Sequence, residues 1–129
     1  MFLVNIILSC KCANPPPEEI FCKANNVVYV SVVQNKTEEG IKIYTVAVER
    51  VLKGNNGSLR KAIILETSES TASCGIELKT GEKYLVIVEF KNGEMSATSC
   101  PNLEKLQPNE IDSLLQNAPD TKTCKKYSK

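Results

Sequence analysis

The 129-residue chain has no histidine and no tryptophan, only 5% aromatic residues, and no excess of either charge: 16 Lys and Arg stand against 15 Asp and Glu. Without imidazole there is no Ser-His-Asp or Cys-His catalysis, no zinc ligand set that includes histidine, and no easy switch near neutral pH. Most hydrolase mechanisms are lost with it. A net charge of +1 leaves nothing to neutralise a run of phosphates, so nucleic acid is not an expected partner. A membrane-length apolar run is missing too, since the segment Phe2–Leu8 is far short of the roughly 20 residues that span a bilayer.

What the chain does have is six cysteines, about double ordinary usage and hard to explain in a reducing cytosol. An oxidised, extracellular chain is expected. Its length fits one domain, and 42% hydrophobic with 24% charged residues is an ordinary globular composition. Residues 1–9, Met1 to Ser9, read as the hydrophobic part of a secretory leader with a small residue just before Cys10. The basic n-region is missing and Ile7 matches the cleavage pattern poorly. The competing reading of the same residues is a first buried strand.

Pro15-Pro16-Pro17 fixes φ three times and removes three donors, which predicts a stiff, extended, solvent-facing leader. Five strands are expected: Val27–Val33, Ile41–Leu52, Lys61–Glu66, Lys83–Phe90 and Glu94–Thr98. Turn chemistry from Asn35 to Gly40 separates the first two, and Asn92-Gly93 favours a tight turn between the last two. Pro108–Ala118 has Pro at its head, acids in its first turn, helical spacing of apolar residues and Pro119 just beyond. That is a helix, and Phe21–Asn25 is a weaker second one. Five short strands with one or two helices suit a small closed or partly open β-barrel better than a two-sheet sandwich.

Two readings of the cysteines compete. Thiolate zinc sites want repeated close pairs, yet Cys10-Lys11-Cys12 is the one close pair, with Cys22, Cys74, Cys100 and Cys124 far apart. Disulfides fit better, and cysteines two apart do not easily bond each other, but the spacing leaves several connectivities open. No metal or cofactor of the chain's own is expected.

The pattern Cys10-x-Cys12, the Pro-rich stretch, Phe21-Cys22, Val51-Leu52-Lys53-Gly54, Ser73-Cys74-Gly75, Gly81–Val86 and Asn92-Gly93 ahead of Thr98-Ser99-Cys100 resembles the netrin-like module. Within it, the similarity is to the inhibitory N-terminal domain of the tissue inhibitors of metalloproteinases (TIMPs), and it covers nearly all of Cys10 to Cys124. The resemblance implies a mainly β fold, a five-stranded OB-like closed β-barrel with one to three flanking helices and three disulfides: Cys10–Cys74, Cys12–Cys100 and Cys22–Cys124. It divides the chain into a leader at 1–9, the module at 10–124 and a basic tail at 125–129, as in short members that have the inhibitory half alone.

The resemblance also implies a partner, an extracellular zinc metalloproteinase, and a mechanism. A zinc peptidase keeps one metal position open for its attacking water, and occupying that position stops catalysis. In the resembled inhibitors the mature chain begins at the first cysteine, whose α-amino nitrogen and carbonyl oxygen chelate that zinc. This carries over to Cys10 on removal of residues 1–9. Lys11, Cys12, Ala13, Ala72 and Ser73 then take the protease-contacting positions. Lys11 departs from the family pattern, where a small hydroxyl residue points into a largely apolar pocket, and an unpaired ammonium there costs several kcal/mol. The competing reading is a non-inhibitory netrin-like module that binds a matrix or immune protein.

Asn35-Lys36-Thr37 and Asn56-Gly57-Ser58 are N-glycosylation sequons, both expected in turns. Lys122, Lys125, Lys126 and Lys129 offer a basic tail that could touch anionic matrix polysaccharide, although such lysines are more often simply solvated.

Overall fold

A computed structural model describes residues 15–54 and 62–127. Three helices, α1 (Pro17–Lys23), α2 (Pro108–Gln116) and α3 (Thr121–Cys124), flank six strands. The strands are β1 (Val27–Glu38), β2 (Ile41–Lys53), β3 (Ala62–Ser68), β4 (Lys83–Ile87), β5 (Glu89–Lys91) and β6 (Glu94–Ser96). They form one curled sheet in the order β4-β1-β2-β3-β6-β5, antiparallel except where β3 meets β6.

Six strands replace the expected five because the run Lys83–Phe90 changes partner midway. β4 pairs with β1 and β5 pairs with β6. At the break, the Val88 N–H donates to Asn26 O at 3.2 Å. The Asn102 carboxamide takes the place of a strand at Ile87, accepting from its N–H at 2.7 Å and donating to its carbonyl at 3.0 Å. The two edges of the sheet are thus consecutive in the chain, separated by one residue.

β1 also differs from expectation. It continues through the polar residues Gln34 to Glu38, held by pairing with β2, and the turn shrinks to Glu39-Gly40 with φ of 47° and 83°. Both central residues in the left-handed region make the tight turn whose twist suits a hairpin. Asn35 accordingly lies in a strand, paired with Tyr44, rather than in a turn. Asn92-Gly93 forms the same kind of turn, with φ of 54° and 81°, between β5 and β6.

Period-two alternation explains the continuous β-branched run in β1. Val28, Val30 and Val32 face the interior of the curled sheet with Tyr44, Val46, Leu65, Val86 and Met95. Val27 faces the other way, into a second apolar cluster with Ile20, Phe21, Leu85, Leu103, Ile111 and Leu114 that seats α1 and α2. From Val27 to Val32 both faces of the strand are buried or half-buried, which is why this half is mostly apolar.

The three prolines are not wholly an extended leader. Pro16 is extended, with φ −61° and ψ 153°, but Pro17 opens α1 at a position whose N–H has no intrahelical partner. α1 begins earlier than expected and ends at Lys23; α2 begins at Pro108 as the sequence predicts and ends two residues early. Cations from the end of β2 cap both helices. Arg50 Nη1 donates to Leu115 O at 2.8 Å, and Lys53 Nζ donates to Phe21 O and Cys22 O at 2.9 and 2.7 Å. Positive charge on last-turn carbonyls also complements the helix dipole.

Cys22 and Cys124 form a disulfide across a separation of 102 residues, tying α3 to α1. Beside it, Tyr127 Oη donates to Glu18 Oε1 at 2.6 Å and Lys126 Nζ lies 3.2 Å from the same oxygen. No helix among the described residues is long and apolar enough to cross a membrane.

Candidate functional site

The residues that bring the sequence-predicted site together lie on two segments: the connector from Ser68 to Ile76 and the stretch from Ala97 to Asn102. The connector leaves β3 through Ser68, Ser70 and a single 3-10 turn at Thr71–Ser73. Hydroxyl side chains fold it locally, as expected of serines in turns. Ser68 Oγ accepts from Ser70 N at 3.3 Å, and Ser70 Oγ accepts from Ala72 N at 3.1 Å. Ser70 O receives the N–H groups of Ser73 and Gly75, both at 3.0 Å. Between them Cys74 takes a φ of 66°.

Gly75 is where the connector turns back under itself. A Cβ there would come 2.0 Å from Ser68 O and 2.8 Å from Ser68 C, both backbone atoms, so no larger residue fits without displacing the chain. The turn leaves Ala72 and Ser73 exposed and Gly75 and Ile76 buried.

Thr67 fastens the two segments to the sheet. It is buried, donates from Oγ1 to Ala97 O at 2.8 Å and accepts from Ile76 N at 3.0 Å. Ala97 N donates to Glu66 O at 3.0 Å, extending the β3–β6 contact. Tyr44 continues the clamp from inside, its hydroxyl donating to Ile76 O at 3.3 Å and accepting from Leu78 N at 3.0 Å. Then Ser99 N donates to Cys74 O at 2.8 Å, which joins the segments into one ridge.

That last bond places Cys74 against Ser99, the residue before Cys100, although the two cysteines are far apart in sequence. Both are disulfide-bonded. The partners implied by the resemblance, Cys10 and Cys12, lie outside the described residues, as do Lys11, Ala13 and the sequon residue Asn56. Of the expected contact residues, the ridge carries Ala72 and Ser73 on its surface. Thr67, Ser70, Gly75 and Ser99 form its support; the sequence pointed to Gly75 and Ser99 only as carriers of the family resemblance, and to Thr67 and Ser70 not at all. The signal available was local: a run of hydroxyl residues from Thr67 to Ser73 ahead of a Cys-Gly pair.

From Ala62 to Leu78 the charged residues are all acidic: Glu66, Glu69 and Glu77. A groove of about 850 Å³ runs alongside, bordered by Pro15, Glu19, Lys23, Glu89, Cys100 and Asn102 among others. The described residues contain no cluster of His, Cys, Asp and Glu able to hold a metal ion.

Away from the ridge, three carboxyls are perturbed. The Tyr127 hydroxyl and Lys126 beside Glu18 hold its carboxyl below the usual range. The Thr123 N–H, donating to Asp120 Oδ1 at 2.7 Å as the cap of α3, does the same for Asp120. Burial pushes the Glu104 carboxyl up.

The family model for tissue inhibitor of metalloproteinase matches residues 8–114. Similar curated proteins are metalloproteinase inhibitor 2 of Oryctolagus cuniculus, 29% identical over 101 residues, and of Homo sapiens, 28% identical over 102 residues. The matches cover 70% and 71% of this chain but 52% and 46% of those relatives, so the chain spans about half the length of the curated relatives it matches. With the family model covering the strands, the ridge and most of α2, the chain belongs to the tissue inhibitor of metalloproteinase family.

Proposed function

We propose that this chain is a secreted inhibitor of zinc metalloendopeptidases that blocks the enzyme's zinc with its own N-terminal cysteine. Removal of residues 1–9 frees the α-amino group of Cys10. Its reference pKa, about 7.7–8.0, lets a nearby metal displace the proton and accept the nitrogen lone pair. The Cys10 carbonyl oxygen is the second donor. The zinc belongs to the protease, and the inhibitor supplies only the two donor atoms that exclude its water.

The observation that carries the reading is the Ser99–Cys74 hydrogen bond of 2.8 Å. It holds Ser99, the residue before Cys100, against Cys74 and next to the exposed pair Ala72-Ser73, so two disulfides to the Cys10-Lys11-Cys12 triplet would anchor both of its cysteines to one support. Pro15 and Cys100 border the same groove, which is consistent with the triplet running along the ridge. A leader fixed before encounter loses little conformational entropy on binding. Cys10, Lys11, Cys12, Ala13, Ala72 and Ser73 then form the contact surface. In the same reading the curled sheet is the family's OB-like barrel, closed through the consecutive strands β4 and β5, with 10–124 as the module and 125–129 as a tail.

The tail is not part of the proposed function. Lys126 is already paired with Glu18, which removes one of the cations a polysaccharide would use.

The test is N-terminal sequencing of the secreted chain together with inhibition constants for a chain beginning at Cys10. Lys11 directs the choice of enzyme, since a carboxylate in the pocket offsets the desolvation of an ammonium and an apolar wall does not. The wild type should favour an acidic-pocket peptidase, and Lys11→Thr should improve inhibition of an apolar-pocket one by roughly ten- to a hundredfold. A correctly folded pair inert on both enzymes at micromolar concentration would overturn the proposal in favour of a non-inhibitory module.

A further inference from the structure

Among the described residues, the second half of β1 has an open side, and it coincides with a modification motif. β4 covers β1 as far as Ser31, paired with Lys83, and the Val32 N–H and carbonyl are taken by Glu82 O and the Gly81 N–H at 3.0 and 2.8 Å. From Val33 to Glu38, β1 pairs only with β2 among the described residues. Val33 sits at a bulge in the β1–β2 register and is 54% exposed, and Ile41 across the turn is 42% exposed. An extended, uncovered edge with apolar residues beside it is a template for pairing with another chain.

Asn35, in the middle of this stretch, opens the sequon Asn35-Lys36-Thr37 and is exposed. We propose that Asn35 carries an N-linked glycan and that this glycan covers the open edge of β1 against pairing with a second copy of the chain. In the transfer, Asn35 Nδ2 forms a bond to the anomeric carbon of a lipid-linked oligosaccharide. The lipid diphosphate leaves with the electrons of the broken C–O bond, and Nδ2 gives up one of its two protons. The geometry tolerates this loss. Nδ2 makes one hydrogen bond, to Thr80 Oγ1 at 2.8 Å, and the glycosylated amide keeps one N–H to make it.

The inference rests on the secreted reading above, because the sugar donor is met in the secretory pathway. The test is full chain, with Asn56→Gln to remove the second sequon, expressed in eukaryotic cells and recovered from the medium. Peptide mapping should find the glycan on Asn35, retained in Thr37→Ser and lost in Thr37→Ala. The glycosylated chain should be monomeric. Enzymatically deglycosylated chain and Thr37→Ala should form dimers or larger species at the same concentration, and adding Val33→Lys should return them to monomers. Bare Asn35 in protein from the medium overturns the modification. A deglycosylated chain that stays monomeric overturns the covering role. Inhibition of a zinc peptidase is read on the same samples, so glycosylated but inert protein counts against the inhibitor reading alone, and bare but inhibitory protein against the glycan alone.

Discussion

The helical layer and the ridge are held by different forces. α1 and α2 bury Ile20, Phe21, Ile111 and Leu114 against Val27 and Leu85, are capped by Lys53 and Arg50, and are linked to the end of the described chain by Cys22–Cys124. The ridge has few large apolar side chains. It is shaped by hydrogen bonds from Ser68, Ser70, Thr67 and Ser99, and by one glycine that nothing else can replace. Apolar packing is broad and tolerant of small changes, whereas a hydrogen-bonded turn fixes positions one atom at a time. The helical layer is therefore held by apolar packing and a disulfide, and the surface proposed for recognition is small, exposed and shaped by hydrogen bonds.

Breaking the helical layer should cost the most. Replacing Cys22 and Cys124 together with Ala opens a loop of 102 residues, for which loop-closure entropy gives about 4 to 5 kcal/mol. Chemical denaturation should show that loss while the chain, where still folded, keeps its inhibitory activity. Loss of inhibition in folded protein would mean that the two regions are coupled.

Gly75→Ala should do the reverse. The new methyl group meets the Ser68 backbone at 2.0 Å, so the connector must move, at a cost of about 3 kcal/mol. Inhibition should fall at least tenfold with Cys22–Cys124 intact by peptide mapping. An unchanged inhibition constant would show that the connector does not shape the contact surface.

The smallest effect sharpens the helical side through pH. Glu104, beside Leu103, is 8% exposed, and burial raises its carboxyl pKa. A folded-state pKa above the unfolded one stabilises only below the carboxylate range and is lost as pH rises through the folded pKa. Glu104→Gln should thus raise stability near neutral pH by roughly 1 kcal/mol, the scale of a desolvated polar group. The gain should vanish in acid, where Glu104 is itself neutral. Glu18 and Asp120 have the opposite sign: their lowered values give stability that is lost as pH falls, and neither contribution is touched by the substitution. Thermal melts of both proteins across this range provide the check.

The sequence was most informative where chemistry is local. The Asn92-Gly93 turn, Pro108 at the head of α2 and the β-branched run of β1 each act within a few residues. It was least informative where distant segments decide. Nothing within Lys83–Phe90 announces a break at Val88, because the break comes from Asn102 and Asn26. Asn35 to Gly40 read as a turn by composition, yet pairing with β2 holds Asn35 to Glu38 in a strand. Pro17 read as a breaker when its missing N–H suits the first position of a helix. At the ridge, Ala72 and Ser73 were expected through family resemblance, whereas the Thr67 clamp and the Cys74–Ser99 contact arise from tertiary pairing of β3 and β6.

The central claim is that one amine, created by cleavage before Cys10, blocks the protease. Its most direct test compares the inhibition constant of the chain beginning at Cys10 with that of the chain retaining Met1 to Ser9, on one zinc peptidase, with Cys22–Cys124 verified in both. The account predicts inhibition by the cleaved form alone, since an amide nitrogen at Cys10 has no lone pair to offer the metal. Equal potency of the two forms would contradict it.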